Sequence, residues 1–312
     1  AMAGDSSVSG AGSVATAGSS DVSGAGSAAM AGDSSVSGAG SVATAGDSGV
    51  SGAGSAAAAG DSSTTGSSSA GNTVTASTRF KRLELHNHTV ESDGSLTCQE
   101  LTEYLAADHV DAFAITDHNT TSGQKKIEQL LEEKHYPISL IRGMEYTTYF
   151  GHILCLNLAK YVPWNSIDQH RPELLFEATR KKGALVGIAH PFSYGDPFAR
   201  GCRFEMTISD YSKVDFIEIF NNPEPLHEVN ERGTNLWMSL IFSGYQITAT
   251  SGMDLHNRAK LAGCYATYIE GKNGGNIASE LDTAIHTHRT WVSKGALLLT
   301  EVLPETNELL LT

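Results

Sequence analysis

Histidine and acidic residues follow a short apolar run near the start of the folded part of this sequence. In "LELHNHTVESDGS", His86 and His88 end such a run, and Asp93 lies in the loop behind it. Side chains alternate along an extended segment, so His86 and His88 point the same way and one metal ion can bind both. The alternative is a polar loop that happens to carry two imidazoles.

The same pattern recurs at later apolar runs. The residues concerned are Asp117, His118, Glu145, His152, His190, Asp254 and His256. A single histidine after a strand is usually a surface or packing residue, but this explanation becomes improbable when five separate runs carry such residues. Imidazole and carboxylate ligands without thiolates favour Zn, Mn or Fe. The spacing therefore predicts a metal centre.

Short apolar runs alternate with helical patterns from residue 82 onward, which predicts an α/β fold. The predicted strands include "RLELH", "DAFAIT", "YPISLIRGMEYTT", "HILCLNL", "ALVGIA", "VDFIEIF", "YQITATS", "CYATYIE" and "TWVSK". Thr97 and Glu100 have the spacing of a capping box at the start of the first helix, and Gly183 and Gly244 mark later helix ends. About seven strands and seven helices favour a closed or nearly closed barrel, although an open doubly wound sheet has similar counts. The carboxyl ends of barrel strands share one face, where the candidate residues would meet.

Residues 1–77 have a different composition from the rest of the chain. They are almost entirely Gly, Ala, Ser, Thr, Val and Asp, and "VSGAGS" begins at Val8, Val22, Val36 and Val50. Such a segment buries too little apolar area to offset its chain entropy, so we expect a disordered or artificially added low-complexity tail. A solenoid or a silk-like β stack is the alternative. Residues 78–312 then form one domain.

The overall composition limits the classes of partner. The formal net charge of −14 argues against a nucleic-acid duplex, because phosphate backbones are bound by clustered Lys and Arg.

Four dispersed cysteines, Cys98, Cys155, Cys202 and Cys264, are expected to be free thiols in a reducing compartment. No apolar stretch is long enough to span a bilayer, and no signal sequence is evident. We therefore expect a cytoplasmic protein without a membrane partner; its oligomeric state stays open.

Five motifs together resemble those of the polymerase and histidinol phosphatase (PHP) family. They are "HNHTVESDG", "ITDHN", "GMEYTT", "GIAHPF" and "SGMDLH", in the family's order, within a similarity that covers about residues 82–295. The sequence is most similar to the stand-alone CehA/McbA-type phosphoesterases, because Asp93 stands where many members have a histidine. The resemblance implies a distorted seven-stranded (β/α) barrel, similar to a TIM barrel, with two to three divalent ions.

The resemblance also implies a ligand set. His86, His88, Glu145 and Asp254 would bind one ion, and Asp93, His118 and His256 a second. Glu145 would bridge to a third ion bound by His190 and His152. Asp117 is expected to orient a ligand by a hydrogen bond, and His152 or a metal-bound water to supply the proton that the leaving group needs.

This arrangement suits a phosphoesterase that attacks a small phosphate ester, such as a nucleotide, with a metal-activated hydroxide. Arg258, Lys260, Arg200 and Arg203 are candidate phosphate contacts, and Asn221 and Asn222 are further candidates for substrate contact. Two alternatives stay open: a metal-dependent hydrolase of amide, carbamate or carboxylic ester bonds, and an inactive metal-bound scaffold. Six other histidines are assigned to solvent or packing: His109, His135, His170, His227, His286 and His288.

Overall fold

The structure of the chain is a computed structural model. The residues that the structure describes are 78–163, 168–194, 200–221, 228–303 and 305–312. The predicted tail, residues 1–77, lies outside them, as do Asn222, His227 and the side chain of Arg200.

Eleven strands and five α-helices are present in the described part of the chain. The strands are β1 (Thr78–Glu84), β2 (Ala112–Ile115), β3 (Ser139–Thr148), β4 (Gly151–Leu156), β5 (Leu185–Ile188), β6 (Phe216–Asn221), β7 (Thr248–Gly252), β8 (Ala266–Lys272), β9 (Thr290–Ser293), β10 (Thr300–Leu303) and β11 (Glu308–Leu311). The helices are α1 (Cys98–Ala107), α2 (Ser122–Lys134), α3 (Glu173–Arg180), α4 (Glu228–Phe242) and α5 (Ile277–His286). Strands β10 and β11 form a separate hairpin.

The first seven strands form a barrel-like sheet in sequence order, and β8 and β9 extend it beyond β1. Past the ends of β1 and β7, Asn87 pairs with Leu255 in a parallel bridge, and the backbone N–H of His88 donates to the Leu255 carbonyl at 2.9 Å. This bridge brings the two ends of the seven-stranded row together. The predicted α/β barrel is therefore confirmed, and the open doubly wound sheet is excluded.

One strand departs from the expected alternation of parallel strands and helices. Strand β4 is antiparallel to both β3 and β5, and it follows β3 through a tight turn rather than a helix. Gly151 has φ +139° at the end of this turn, a conformation that is accessible to glycine and strained for other residues. The first residues of β4 consequently lie at the same end of the barrel as the carboxyl ends of its neighbours.

The inner strands are apolar on both faces, as expected for strands covered by helices. Every residue of β2, β4 and β5 is buried. Helix α1 begins with the predicted capping box, in which Thr97 and Glu100 bond reciprocally through side chains and backbone N–H groups. Helix α1 packs its buried Leu101 and Leu105 against β2 and α2 in one of the three core clusters. The helices thus enclose the sheet and fix the strand ends from which the polar residues project.

None of the described helices combines the length and the apolar composition that a bilayer span requires.

Candidate metal centre

The sequence-predicted ligands meet at one end of the barrel. Their elements are the segment after β1 for His86, His88 and Asp93, the end of β2 for His118, β3 for Glu145, the start of β4 for His152, and the segments after β5 and β7 for His190, Asp254 and His256. His118 continues the β2 ladder by bridging to Glu145. Parallel strands place their carboxyl ends together, and the reversed β4 adds its amino end to the same face.

The first ligand group lies deepest in the barrel and consists of His86, His88, Glu145 and Asp254. His86 Nε2 lies 3.3 Å from both Glu145 Oε2 and Asp254 Oδ1. His88 Nε2 lies 2.9 Å from Asp254 Oδ1 and 3.5 Å from Glu145 Oε2. One ligand atom from each of the four residues therefore falls within 4.8 Å of the others, which is compact enough for one ion.

The second ligand group is more open to solvent and consists of His88, Asp93, His118 and His256. Asp93 Oδ1 lies 3.2 Å from His256 Nε2 and 3.5 Å from His118 Nε2. The side chains of Asp93 and His256 are 57% and 33% exposed, whereas His86, His88 and Glu145 are inaccessible. The solvent side of the metal centre is therefore the side of Asp93 and His256.

Glu145 contacts imidazoles through both carboxylate oxygens. Its Oε2 lies 2.9 Å from His118 Nδ1, and its Oε1 lies 2.9 Å from His152 Nδ1 and 3.2 Å from His190 Nε2. His118, Glu145 and His152 form a third group of possible ligands, and His190 approaches the same oxygen from the other side. Glu145 thus belongs to two of the three groups.

The chemistry of the deepest group fits a divalent cation. Among the described residues, His86 Nε2, His88 Nε2, Glu145 Oε2 and Asp254 Oδ1 are buried atoms without a hydrogen-bond partner. Each unsatisfied buried polar group costs roughly 1–3 kcal/mol, so four at one point would be a large penalty. A divalent cation would satisfy all four, and their N/O chemistry suits Zn, Mn or Fe. The residues present therefore fit a metal.

Strong electrostatic coupling links the same side chains. Burial acts to lower the pKa of His86, but the carboxylates of Glu218, Asp254 and Glu145 raise it well above its ordinary value. Burial likewise opposes charge on His190, yet its hydrogen bond to Glu145 contributes to raising its pKa to about 9. Burial would raise the pKa of Glu145, but the neighbouring imidazoles hold it well below its usual range. A cation bound here must compete with protons for these nitrogens.

Two backbone features place the ligands. Asp254 has φ +50°, a left-handed conformation that Asp tolerates better than most residues. Gly94 lies against the chain at His88, where a Cβ atom would be 2.5 Å from the His88 carbonyl. Only glycine fits this close approach, which folds the loop carrying Asp93 back over the site.

Asp117 contacts the loop that carries Asp93. Its Oδ1 accepts hydrogen bonds from the backbone N–H of Thr89 at 2.7 Å and from the Ser92 hydroxyl at 2.8 Å. Asp117 therefore holds the loop between His88 and Asp93, and its expected role in orienting a ligand stays a prediction.

The predicted substrate residues are less well supported than the ligands. Arg203, Arg258 and Lys260 are exposed, and the Arg258 guanidinium lies over the Tyr104 ring at 5.9 Å. Asn221 is buried, and its side-chain amide donates a hydrogen bond to Glu218. Five of the six remaining histidines, His109, His135, His170, His286 and His288, are exposed as expected. The four cysteines are free, and Cys98, Cys155 and Cys264 are buried.

Sequence reasoning missed two buried acids beneath the ligands. Glu84 accepts the backbone N–H of Met253 at 2.8 Å, and burial raises its pKa to about 7. Glu218 contacts His86 and His190 from β6. The available signal was an acid inside an otherwise apolar strand, in "RLELH" and in "VDFIEIF". An acid at such a position requires a buried partner.

Comparison with known proteins identifies the family. The PHP domain family matches residues 84–235. That range includes the ligands from His86 to His190, and Asp254 and His256 lie beyond it. A two-domain protein from Bacteroides vulgatus containing a predicted PHP-like metal-dependent phosphoesterase superposes with a TM-score of 0.52. The two proteins are 16% identical, and the match covers 69% of this chain and 65% of the other, which supports the shared fold.

Two further relatives match over shorter ranges. The 5'-3' exoribonuclease Rnm of Escherichia coli is 34% identical over 79 residues, which are 24% of this chain and 27% of that protein. The uncharacterized protein MJ1587 of Methanocaldococcus jannaschii is 30% identical over 112 residues, covering 36% of this chain and 58% of its own length. The chain thus spans less than two thirds of either relative.

Proposed function

The chain belongs to the PHP domain family, and from that premise we propose that it is a metal-dependent phosphoesterase. The observation that carries the proposal is the convergence of four buried, unpartnered donor atoms, from His86, His88, Glu145 and Asp254, at one point. A structural polar cluster would satisfy these atoms with hydrogen bonds, whereas they lie 2.9–3.5 Å from one another without hydrogen-bond geometry. Their common orientation is the arrangement that a cation needs.

We assign the ligands to three neighbouring positions. The deepest ion is held by His86, His88, Glu145 and Asp254, and the most exposed by Asp93, His118 and His256, with His88 beside it. The third position lies at Glu145 Oε1, between His152 and His190. Glu145 is the bridging carboxylate in this assignment because its two oxygens face different sets of imidazoles.

Divalent ions held at these positions would activate a water molecule and neutralise the charge of a phosphate. The chain itself supplies the orientation. Asp117 fixes the loop that carries Asp93, and the buried His86 and Glu145 form a floor from which solvent is excluded. A substrate approaches from the side of Asp93 and His256. His152 lies at this centre with its Nδ1 2.9 Å from Glu145 Oε1, and its expected role as proton donor to the leaving group stays a prediction.

The substrate class is a phosphate ester, either a nucleotide-sized monoester or a phosphodiester. The relative from Escherichia coli is an exoribonuclease, so the acidic composition of this chain is no reason to leave RNA out of the substrate set. Bound cations also reverse the local field, which removes the main electrostatic objection to a polyanionic substrate. The exposed Arg203, Arg258 and Lys260 are candidate contacts for the remainder of such a substrate.

The test measures the metal content of the protein and its turnover of candidate substrates. Elemental analysis of protein purified without added metal is expected to find about two to three Zn, Mn or Fe ions per chain, and fewer in His88→Ala and Asp254→Ala. The wild-type protein should then release phosphate or nucleotide products from a panel of nucleotides, aryl phosphates and 5'-labelled oligoribonucleotides. The two variants should not. Turnover of carbamates or carboxylic esters without any phosphate ester would overturn the proposal. Full metal content without any turnover would instead indicate a scaffold.

A further inference from the structure

The carboxylate of Glu218 lies buried beneath the metal centre and contacts two of its residues. Both Glu218 oxygens lie near His86 Nδ1, at 3.1 and 3.2 Å. Oε2 also accepts the backbone N–H of His190 at 3.0 Å and the side-chain amide of Asn221 at 3.2 Å. Glu218 is 1% exposed, so these contacts are made without competition from bulk water.

The contact with His86 determines which ring nitrogen can bind a metal. A carboxylate accepts a hydrogen bond from an imidazole N–H, so this contact places the donor at His86 Nδ1. Nε2 then faces Glu145 Oε2 and Asp254 Oδ1, each 3.3 Å away, and is the nitrogen that would bind a metal. A carboxylate behind a ligating histidine also makes the ring a stronger donor and fixes its orientation.

The contact with His190 holds an uncommon backbone conformation. His190 has φ +22°, a value outside the regions that most residues favour. Its N–H is tied to Glu218, and its ring Nδ1 donates to the Cys202 carbonyl at 3.0 Å. The remaining nitrogen, Nε2, is thereby directed at Glu145 Oε1, 3.2 Å away. One carboxylate therefore sets two imidazoles that approach opposite oxygens of Glu145.

Packing leaves Glu218 little freedom to move. A Cβ atom at Gly252 would lie 2.5 Å from both Glu218 Oε1 and His86 Cβ, so the β7 backbone is in close contact with this pair. On the other side, Asn221 is held by the Asn230 side chain, which accepts its backbone N–H at 3.0 Å. The position of the Glu218 carboxylate is consequently fixed by its neighbours.

We propose that Glu218 is a positioning residue that presets His86 and His190 for metal binding and that its charge sets the affinity of the centre. The proposal rests on the metal-binding part of the proposed function and is independent of the substrate. It assigns a role to a residue that contacts no substrate and lies outside the ligand groups.

The test compares Glu218→Gln with a matched buried acid. Glutamine keeps the volume but removes the charge, and its amide nitrogen cannot accept from the His190 N–H or from Asn221. Zn²⁺ affinity, measured by competition with a chromophoric chelator, is expected to fall about 10–100-fold. Asp215→Asn is the control, since Asp215 directly precedes β6, is 7% exposed and accepts the backbone N–H of Val186 instead of a ligand. Its Zn²⁺ affinity should stay at the wild-type value.

A second measurement needs no metal. In metal-free protein labelled with ¹⁵N-histidine, the His86 Nδ1–H should give a slowly exchanging downfield proton signal, assigned by its loss in His86→Asn. Glu218→Gln should move this signal upfield, because a neutral acceptor bonds more weakly than a carboxylate. An absent wild-type signal, or unchanged Zn²⁺ affinity in a folded Glu218→Gln, would overturn the proposal. If the wild-type protein took up no Zn²⁺, the proposed function would fail, and the proton signal would still decide whether Glu218 orients His86.

Discussion

Replacing Glu145 by glutamine is the perturbation with the largest expected effect on the metal centre. The substitution keeps the shape of the side chain and removes a fully buried negative charge. Three imidazoles lie 2.9–3.5 Å from its Oε2, and two lie 2.9–3.2 Å from its Oε1. Removing one partner from such a buried charged contact costs about 3–5 kcal/mol, which is roughly two to four powers of ten in a binding constant.

The distribution of Glu145 among the ligand groups gives a stoichiometric prediction. Glu145 belongs to two of the three groups, and Asp93 belongs only to the remaining one, with His88, His118 and His256. With all groups filled, Glu145→Gln should retain about one third of the wild-type metal and Asp93→Asn about two thirds. Elemental analysis after dialysis without added metal measures both, and thermal melting of each variant checks that it is folded. Equal metal retention by the two folded variants would refute the assignment of Glu145 as the shared ligand.

Three further predictions concern single features of the fold and the site. Thr97→Ala removes the capping box with Glu100 and should lower the free energy of unfolding in urea by about 1 kcal/mol, with unchanged metal content. Gly94→Ala forces the chain away from the His88 carbonyl and should reduce metal content as Asp93→Asn does; a wild-type content would contradict the close approach. The raised pKa of His190, about 9 against 6.5 when unfolded, stabilises the metal-free protein fully below pH 6.5. This contribution of about 3 kcal/mol to the free energy of unfolding should be lost as the pH rises through 9. Denaturation of chelator-treated protein at several pH values measures it. The free energy of unfolding should fall less over this pH range in His190→Asn.

Local sequence patterns were sufficient to predict the barrel and the membership of the cluster. The Thr97–Glu100 capping box is present, because it depends on residues three positions apart. His86, His118, His190 and Asp254 could be predicted because each follows a strand and parallel strands share one end. The metal-binding roles themselves stay predictions until metal content is measured.

Contacts between distant segments could not be predicted in the same way. Glu218 bonds to His86 across 132 residues, and nothing in "VDFIEIF" shows which partner its acid will meet. Asp117 accepts hydrogen bonds from backbone and hydroxyl donors of the Thr89–Ser92 loop, and its place beside His118 in the sequence does not show these partners. In both cases the outcome depends on loop conformation and on strand packing, which periodicity does not specify.

The reversal of β4 explains why both carboxylate oxygens of Glu145 contact imidazoles. In the β3–β4 ladder, Thr147 lies directly opposite His152, and Glu145 is two positions away from Thr147 on the same strand. Side chains two apart share a face, so Glu145, Thr147 and His152 all project into the barrel. A parallel β4 would have placed His152 at the opposite end of the sheet. The tight turn after Thr148 therefore does more than connect two strands, because its length sets the register that brings His152 to Glu145 Oε1.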